Sequence, residues 1–306
     1  MTACLDGMYA ALLTGFADNE DLDEPRQRNI VNHVLRQGLK GLYVGGSTAE
    51  SGLMTTDELH EQQGIVKDAA KASDVTLIAH VGQPSLRDSI RLARNAENLG
   101  YDALSALPPH SYRFTPDEIF HYYKALASAT SLPLIVYEVP GRVGRESSVA
   151  ELSAILDLPG VAGIKFSSMN LFVLSQLRSR HSDSTIFFGS DETYMTGALS
   201  GANGGIGSTY NVFGKLYVAL DKAMEAGDMD RARDLQKISR DYVGHLFEVG
   251  VMPGIKLSLQ HLGVDCGPCR APFRILSDAG RAPLTAFLEQ ADIAPWVSGK
   301  QDTLTA

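Results

Sequence analysis

Three stretches, Gly41-Leu42-Tyr43-Val44, Thr55-Thr56-Asp57-Glu58 and Val75-Thr76-Leu77-Ile78-Ala79-His80-Val81, decide how this chain folds. The first and third are short, nearly continuous apolar runs, the pattern of parallel strands covered on both faces. Between them, Thr56–Ala72 has the length and amphipathic spacing of a helix. Its opening offers a capping hydroxyl with an acid three residues on. The alternation continues on both sides. Further strands are expected at Met8–Leu13, Ala103–Ala106, Pro133–Val139, Val161–Lys165, Thr185–Phe188 and Gly204–Gly207. Helical patterns lie between them at Glu24–Gln37, Ser85–Leu99, Thr115–Ala129, Leu171–Arg180 and Tyr194–Leu199. Thr115-Pro116-Asp117-Glu118 combines an N-cap hydroxyl, proline at the first helical position and a capping-box glutamate.

Eight strands alternating with helices predict a (β/α)8 TIM barrel. A doubly wound open sheet is the alternative, but no G-x-G-x-x-G follows the first strand. After residue 225 the pattern turns helical, at Asp228–Val249, Pro253–Leu262 and Leu284–Gln290. The expected organisation is a catalytic barrel over 1–225 and a C-terminal helical extension over 226–306 packed on it, with a frayed tail after Trp296.

Composition narrows the function. The chain has 306 residues, 44% hydrophobic and 21% charged, as in an ordinary globular protein. Its net charge of −9 and lack of a Lys/Arg-rich cluster speak against a nucleic-acid partner. No apolar run is long enough to span a bilayer. Met1-Thr2-Ala3-Cys4-Leu5-Asp6 lacks the basic-then-apolar pattern of a signal peptide, so a cytoplasmic location is expected. Cys266 and Cys269 form a C-x-x-C without a second such pair, a finger-spaced His pair or a thioredoxin-like surrounding. They read as two incidental thiols in a loop. No His-x-His or H-E-x-x-H falls at an element end, and His80 alone reads as a structural donor, so no metal centre is expected.

Candidate chemistry collects where the strands of a barrel end. In Gly163-Ile164-Lys165-Phe166-Ser167-Ser168, Lys165 closes an apolar run. Burial disfavours the ammonium form, and a neutral amine condenses with a carbonyl to a Schiff base. Taken alone, the segment also fits a surface lysine just past a strand. Gly45-Gly46-Ser47-Thr48-Ala49-Glu50 presents backbone N–H groups and hydroxyls suited to a carboxylate or phosphate, or is simply a helix cap. Tyr137 ends the fifth strand and is either a proton shuttle or a packing residue. Gly189-Ser190-Asp191-Glu192 ends the seventh, with paired acids for a polyol or a metal, or for a helix N-terminus. The glycines from Gly201 to Gly207 suggest close approach of the backbone to a ligand. Together the set suits cofactor-free carbonyl chemistry: a lysine imine as electron sink, a tyrosine moving protons and a nest holding a carboxylate.

These residues resemble the family of pyruvate-dependent class I aldolases and lyases that includes N-acetylneuraminate lyase and dihydrodipicolinate synthase. The resemblance runs from Met8 to about Phe273 and rests on Gly45–Glu50, Tyr137 and Lys165 in order and spacing. Leu42–Thr48, Ile78–Gly82, Gly189–Glu192 and Gly204–Asn211 are most similar to the sialic acid lyases within it. What the resemblance implies is a lyase that splits a 2-oxo sugar acid, N-acetylneuraminate foremost, into pyruvate and an aldehyde. It implies Lys165 and Tyr137 as catalytic residues and Ser47 and Thr48 as the pyruvate carboxylate site. Ser167, Gly189, Asp191, Glu192 and Ser208 would meet the sugar chain. A homotetramer with no cofactor and no membrane partner is also implied.

The chain departs from the family pattern at three points. Ser111, in His110-Ser111-Tyr112, stands where the family has a relay tyrosine. Ser190 replaces an aromatic residue. Arg142 resembles the synthase branch, where an arginine binds a second substrate's carboxylate. The alternatives carried forward are therefore a dihydrodipicolinate synthase or another 2-keto-3-deoxy sugar acid aldolase, and a 2-oxo-acid sensor on the same fold.

Overall fold

The computed structural model describes residues 5–274 and 276–297, with the backbone alone at 278. Met1–Cys4 and the tail from residue 298 onward lie outside the described residues. Eight parallel strands close into a barrel in chain order. They are β1 Gly7–Ala11, β2 Gly41–Val44, β3 Thr76–His80, β4 Ala103–Ala106, β5 Leu134–Glu138, β6 Val161–Phe166, β7 Thr185–Phe188 and β8 Gly204–Gly207. Each falls within a residue or two of the run that predicts it, and β1 pairs with β8 through Tyr9↔Ile206 to complete the ring.

The helices follow the same alternation: α1 Glu24–Leu35, α2 Thr56–Ala70, α3 Leu86–Asn98, α4 Pro116–Ala127, a single turn α5 Pro140–Val143, α6 Val149–Leu156, α7 Leu171–Arg180, α8 Tyr194–Leu199 and α9 Tyr210–Glu225. Both capping boxes form. Thr55 accepts from Glu58 N–H and Thr115 from Glu118 N–H, and each glutamate reaches back to its cap. Such a cap contributes about 1 kcal/mol.

Strand alternation sorts side chains between two cores. One set faces the helices. The other fills the barrel's floor with Leu5, Tyr9, Tyr43, Ile78, Ile135, Phe187 and Ile206, so the barrel is packed rather than hollow. Above that floor, Tyr137, Leu107 and Val139 form a small separate cluster.

Past α9 come α10 Met229–Val249, α11 Val251–His261, α12 Asp278–Leu288 and α13 Ala294–Val297. Their apolar residues, among them Leu235, Tyr242, Leu246 and Ile255, belong to the same hydrophobic core as the barrel helices. Two polar grips add to this. Gln236 and Ser239 of α10 donate to the Asp191 carbonyl at 3.1 and 3.0 Å. Lys256 of α11 lies 3.0 Å from the Glu50 carboxylate.

Candidate active site

The register pairs Tyr137 on β5 with Lys165 on β6, so both side chains enter the barrel mouth side by side. Lys165 is 5% exposed. Its Nζ lies 4.4 Å from the ring centroids of both Tyr137 and Tyr43. No carboxylate pairs with it among the described residues. The amine is thus held between two aromatic faces inside the protein, and the surface-lysine reading of the segment does not hold. Tyr43 was inside a quoted motif but carried no expectation. Its hydroxyl donates to Ser105 at 3.1 Å, and burial pushes its pKa far up, so it stays a neutral phenol.

The glycine-hydroxyl motif after β2 forms a short 3₁₀ turn, Ser47–Ala49. Gly45 has φ 76°, open to glycine, and a Cβ on Gly46 would strike the Tyr43 ring. The leading N–H groups of such a turn have no partner inside it and face outward. Thr48 and Ser208 bring β2 and β8 together through their hydroxyls, 2.7 Å apart. The Ser47 hydroxyl is buried without a partner, and so is that of Ser167. Buried polar atoms of this kind are costly unless something binds them.

His80 braces the motif from below. Leu107 N–H donates to its Nε2 at 3.2 Å, which leaves Nδ1–H to donate to the Gly45 carbonyl at 3.0 Å. Burial, with Lys165 adding to it, lowers its pKa to about 3, so it is a neutral structural donor.

Ser167 and Gly189 adjoin the lysine. A Cβ on Gly189 would collide with the Ser167 hydroxyl and come within 3.2 Å of Lys165 Cε. Asp191 is buried, and its Oδ2 accepts from Thr209 N–H at 2.8 Å and Thr209 Oγ at 2.7 Å. Burial, reinforced by Glu192 and opposed by Thr209 and Lys165, raises its pKa to about 6. Glu192 sits beside it, half-buried in the 3₁₀ turn Asp191–Thr193.

The glycine run of β8 needs another account than ligand approach. A Cβ on Gly204 would meet the Gly7 backbone, on Gly205 the Tyr210 hydroxyl, and on Gly207 the Asp191 carboxylate and Tyr210 ring. Protein atoms occupy that space.

Arg142 lies on α5 at the rim, exposed. It lines a cavity of about 440 Å³ with Ser47, Thr48, Ser208 and Phe273. In the loop after β4, His110 Nδ1 lies 3.2 Å from the Pro108 carbonyl, Ser111 is exposed, and Tyr112 is 79% exposed with its ring edge-on to Phe114. Cys266 and Cys269 are both free. Burial pushes their thiols up to about 11 and about 12, which keeps them unreactive at neutral pH. Among the described residues no group of three or more His, Cys, Asp or Glu side chains is placed to hold a metal ion.

Two structural residues were not anticipated. Glu50, at φ 59°, lies behind the nest with its side chain fully buried against Lys256. Its other oxygen accepts from Arg270 N–H at 2.8 Å. Glu138 holds Ser147. Arg270 and Lys256 lie more than 200 residues from Glu50, and Ser147 lies nine residues from Glu138 in a stretch with no assigned element, so no local pattern marks either contact.

Comparison with known proteins adds to this geometry. The model of the dihydrodipicolinate synthetase family matches residues 4–291. The N-acetylneuraminate lyase of Rhizobium meliloti is 39% identical over 299 residues, 98% of each chain. CdNal from Clostridium difficile, solved in complex with mannosamine, superposes with a TM-score of 0.91 at 30% identity, covering 96% of this chain and 100% of the other. A catalytic lysine mutant of the Ruminococcus gnavus sialic acid aldolase superposes at 0.90 and 26% identity, covering 95% and 97%.

Proposed function

This chain belongs to the dihydrodipicolinate synthetase family, and we propose that within it the protein is a class I pyruvate aldolase cleaving N-acetylneuraminate reversibly to pyruvate and N-acetylmannosamine. The observation that carries the chemistry is Lys165 Nζ, buried between two tyrosine rings with no carboxylate paired to it among the described residues. In cleavage, Nζ attacks the C2 carbonyl and water leaves, giving a protonated imine. A proton leaves the C4 hydroxyl through Tyr137, the C3–C4 bond breaks, and its electrons pass into the imine to form an enamine. The aldehyde departs, C3 takes up a proton, and water releases pyruvate and the free lysine. The Ser47-Thr48 turn holds the pyruvate carboxylate, and the unpartnered Ser47 hydroxyl supports that assignment.

Ser167, Gly189, Asp191, Glu192 and Ser208 face the sugar chain in this reading, and Arg142 reaches it from the rim. The names of the relatives favour the sialic acid substrate over a synthase reaction. A pure 2-oxo-acid sensor would need neither Tyr137 nor Lys165. The described residues from 226 to 297 act as an extension of the catalytic barrel rather than as a second unit. The family resemblance supports a cytoplasmic homotetramer. Among the described residues no helix is long and apolar enough to cross a membrane, and sedimentation velocity tests the assembly.

Borohydride reduction in the presence of pyruvate tests the mechanism. A three-carbon acid adduct on the Lys165 peptide is expected, and its absence refutes the mechanism. Pyruvate release from N-acetylneuraminate, measured beside 2-keto-3-deoxy sugar acids, tests the substrate. No turnover of the former refutes the lyase reading.

A further inference from the structure

We propose that Glu138 is a positioning residue that fixes the arm carrying Arg142 over the site, and so governs the aldehyde half of the reaction and not the pyruvate half. The inference rests on the aldolase reading above. Glu138 is the residue after Tyr137 on β5, and alternation turns its side chain to the opposite face of the strand. Its main-chain carbonyl accepts from Ser167 N–H at 2.8 Å. One carboxylate oxygen accepts from Ser147 N–H at 3.0 Å, the other from Ser147 Oγ at 2.8 Å. One residue therefore touches the strand of the proton shuttle, the serine beside Lys165, and the far end of the segment after β5.

That segment, residues 139–147, leaves β5, turns through α5 with Arg142 exposed, reverses at Gly144 (φ 73°) and returns to Glu138. Its return is fixed at a second point, where Ser168 Oγ donates to Glu146 at 3.0 Å. Ser168 Oγ in turn accepts from Asn170 N–H at 3.1 Å, which ties the contact to the loop after β6. Arg142 has no carboxylate partner among the described residues. Nothing local orients it, so its place in the cavity wall is set by where the arm is anchored. Glu138 is 5% exposed. A carboxylate at that depth is expensive. It is tolerated because both oxygens are used at once, and a neutral side chain with a single acceptor oxygen would not match them.

Kinetics in the condensation direction test this, with N-acetylmannosamine and pyruvate varied separately. Glu138→Leu is expected to raise the aldehyde KM on the order of tenfold or more, as for a misplaced binding group. The pyruvate KM and the rate of borohydride-trapped adduct on Lys165 stay within about twofold. Ser147→Ala shifts the same constant in the same direction. In an Arg142→Ala background, which itself raises the aldehyde KM, Glu138→Leu adds nothing further. Equal changes in both KM values, or a full additional effect in the Arg142→Ala background, overturn the proposal. An Arg142→Ala variant with an unchanged aldehyde KM does so as well. Should Glu138→Leu fail to fold, Ser147→Ala decides by the same readouts. Failure of the aldolase reading looks different: the unmodified protein then gives no adduct at all.

Discussion

Replacing Asp191 with asparagine should make the protein more stable above pH 6 while impairing its site. The carboxylate's pKa is 3.8 in an ordinary setting and about 6 here, raised by burial. A group whose folded pKa lies above its unfolded value favours the folded state fully below 3.8. That contribution is lost as pH rises through about 6. Across that window the difference amounts to about 3 kcal/mol of penalty for keeping the charge inside. Asparagine retains a carbonyl oxygen to accept from Thr209 N–H and Oγ, so it removes the charge without orphaning its partners. Urea denaturation at a series of pH values measures this directly. The variant should exceed the wild type by up to about 3 kcal/mol on the plateau above pH 6, and the two curves should converge toward pH 3.8. The aldehyde KM should rise over the same comparison, the usual exchange of stability for function. A variant less stable than the wild type above pH 6, or a gap that does not close in acid, would refute the argument.

Three further outcomes follow from the packing of the site. Lys256→Met leaves Glu50 as an unpaired buried charge, with side chains 3% and 0% exposed in the native pair, and should cost about 3–5 kcal/mol in chemical denaturation. Adding Glu50→Gln should recover much of that, whereas a single-mutant loss below about 1 kcal/mol would mean the pair behaves like a surface bridge. Thr48→Val removes the hydroxyl shared with Ser208. It should raise the pyruvate KM by an amount equivalent to about 1–3 kcal/mol, and an unchanged KM would place the carboxylate elsewhere. Gly207→Ala drives a methyl into the Asp191 carboxylate and the Tyr210 ring. A stability loss of about 1–3 kcal/mol is expected in thermal melts, and a fully tolerated alanine would return that glycine to a ligand-facing role.

The barrel was legible because its strands are buried on both faces and so appear as unbroken apolar runs, and because threonine caps mark two of the helix starts. β2, β4, β7 and β8 match their expected ranges residue for residue. Less visible were α5, α6 and α9. The first is a single turn opening at Pro140, the second is only eight residues long and follows the polar stretch 144–148, and α9 begins at the end of a glycine-rich segment. Lys165 and Tyr137 could be placed at strand ends, but their adjacency depends on the β5–β6 register, which sequence spacing alone does not set. The β8 glycines were misread for a related reason. Local sequence indicates that space is needed, but not whether Tyr210, Asp191 or a ligand fills it. Contacts such as Glu50 with Arg270, 220 residues apart, leave no periodic trace at all.

Several costly burials gather at the end of the barrel where Lys165 and the Ser47–Thr48 turn lie. The floor is apolar or aromatic, from Leu5 and Tyr9 to Phe187 and Ile206. Nothing there costs more than it returns. At the mouth lie Lys165 without a counter-ion, Asp191 with its pKa raised by burial, and the unpartnered hydroxyls of Ser47 and Ser167. Just behind them Glu50 and Lys256 are paired, and Glu138 is satisfied by a serine. Folding alone gives no reason to collect such groups at one end, since apolar residues of similar volume would be as stable or more so. Glu50, Lys256 and Glu138 are paired with the neighbours they hold, and Asp191 with Thr209, whereas the Ser47 and Ser167 hydroxyls have no partner, as is also true of Ser153 Oγ and His181 Nε2 away from the strand ends. That pattern supports the proposed reacting centre of Lys165, Tyr137 and the Ser47–Thr48 turn, with Glu50, Lys256 and Glu138 as its frame.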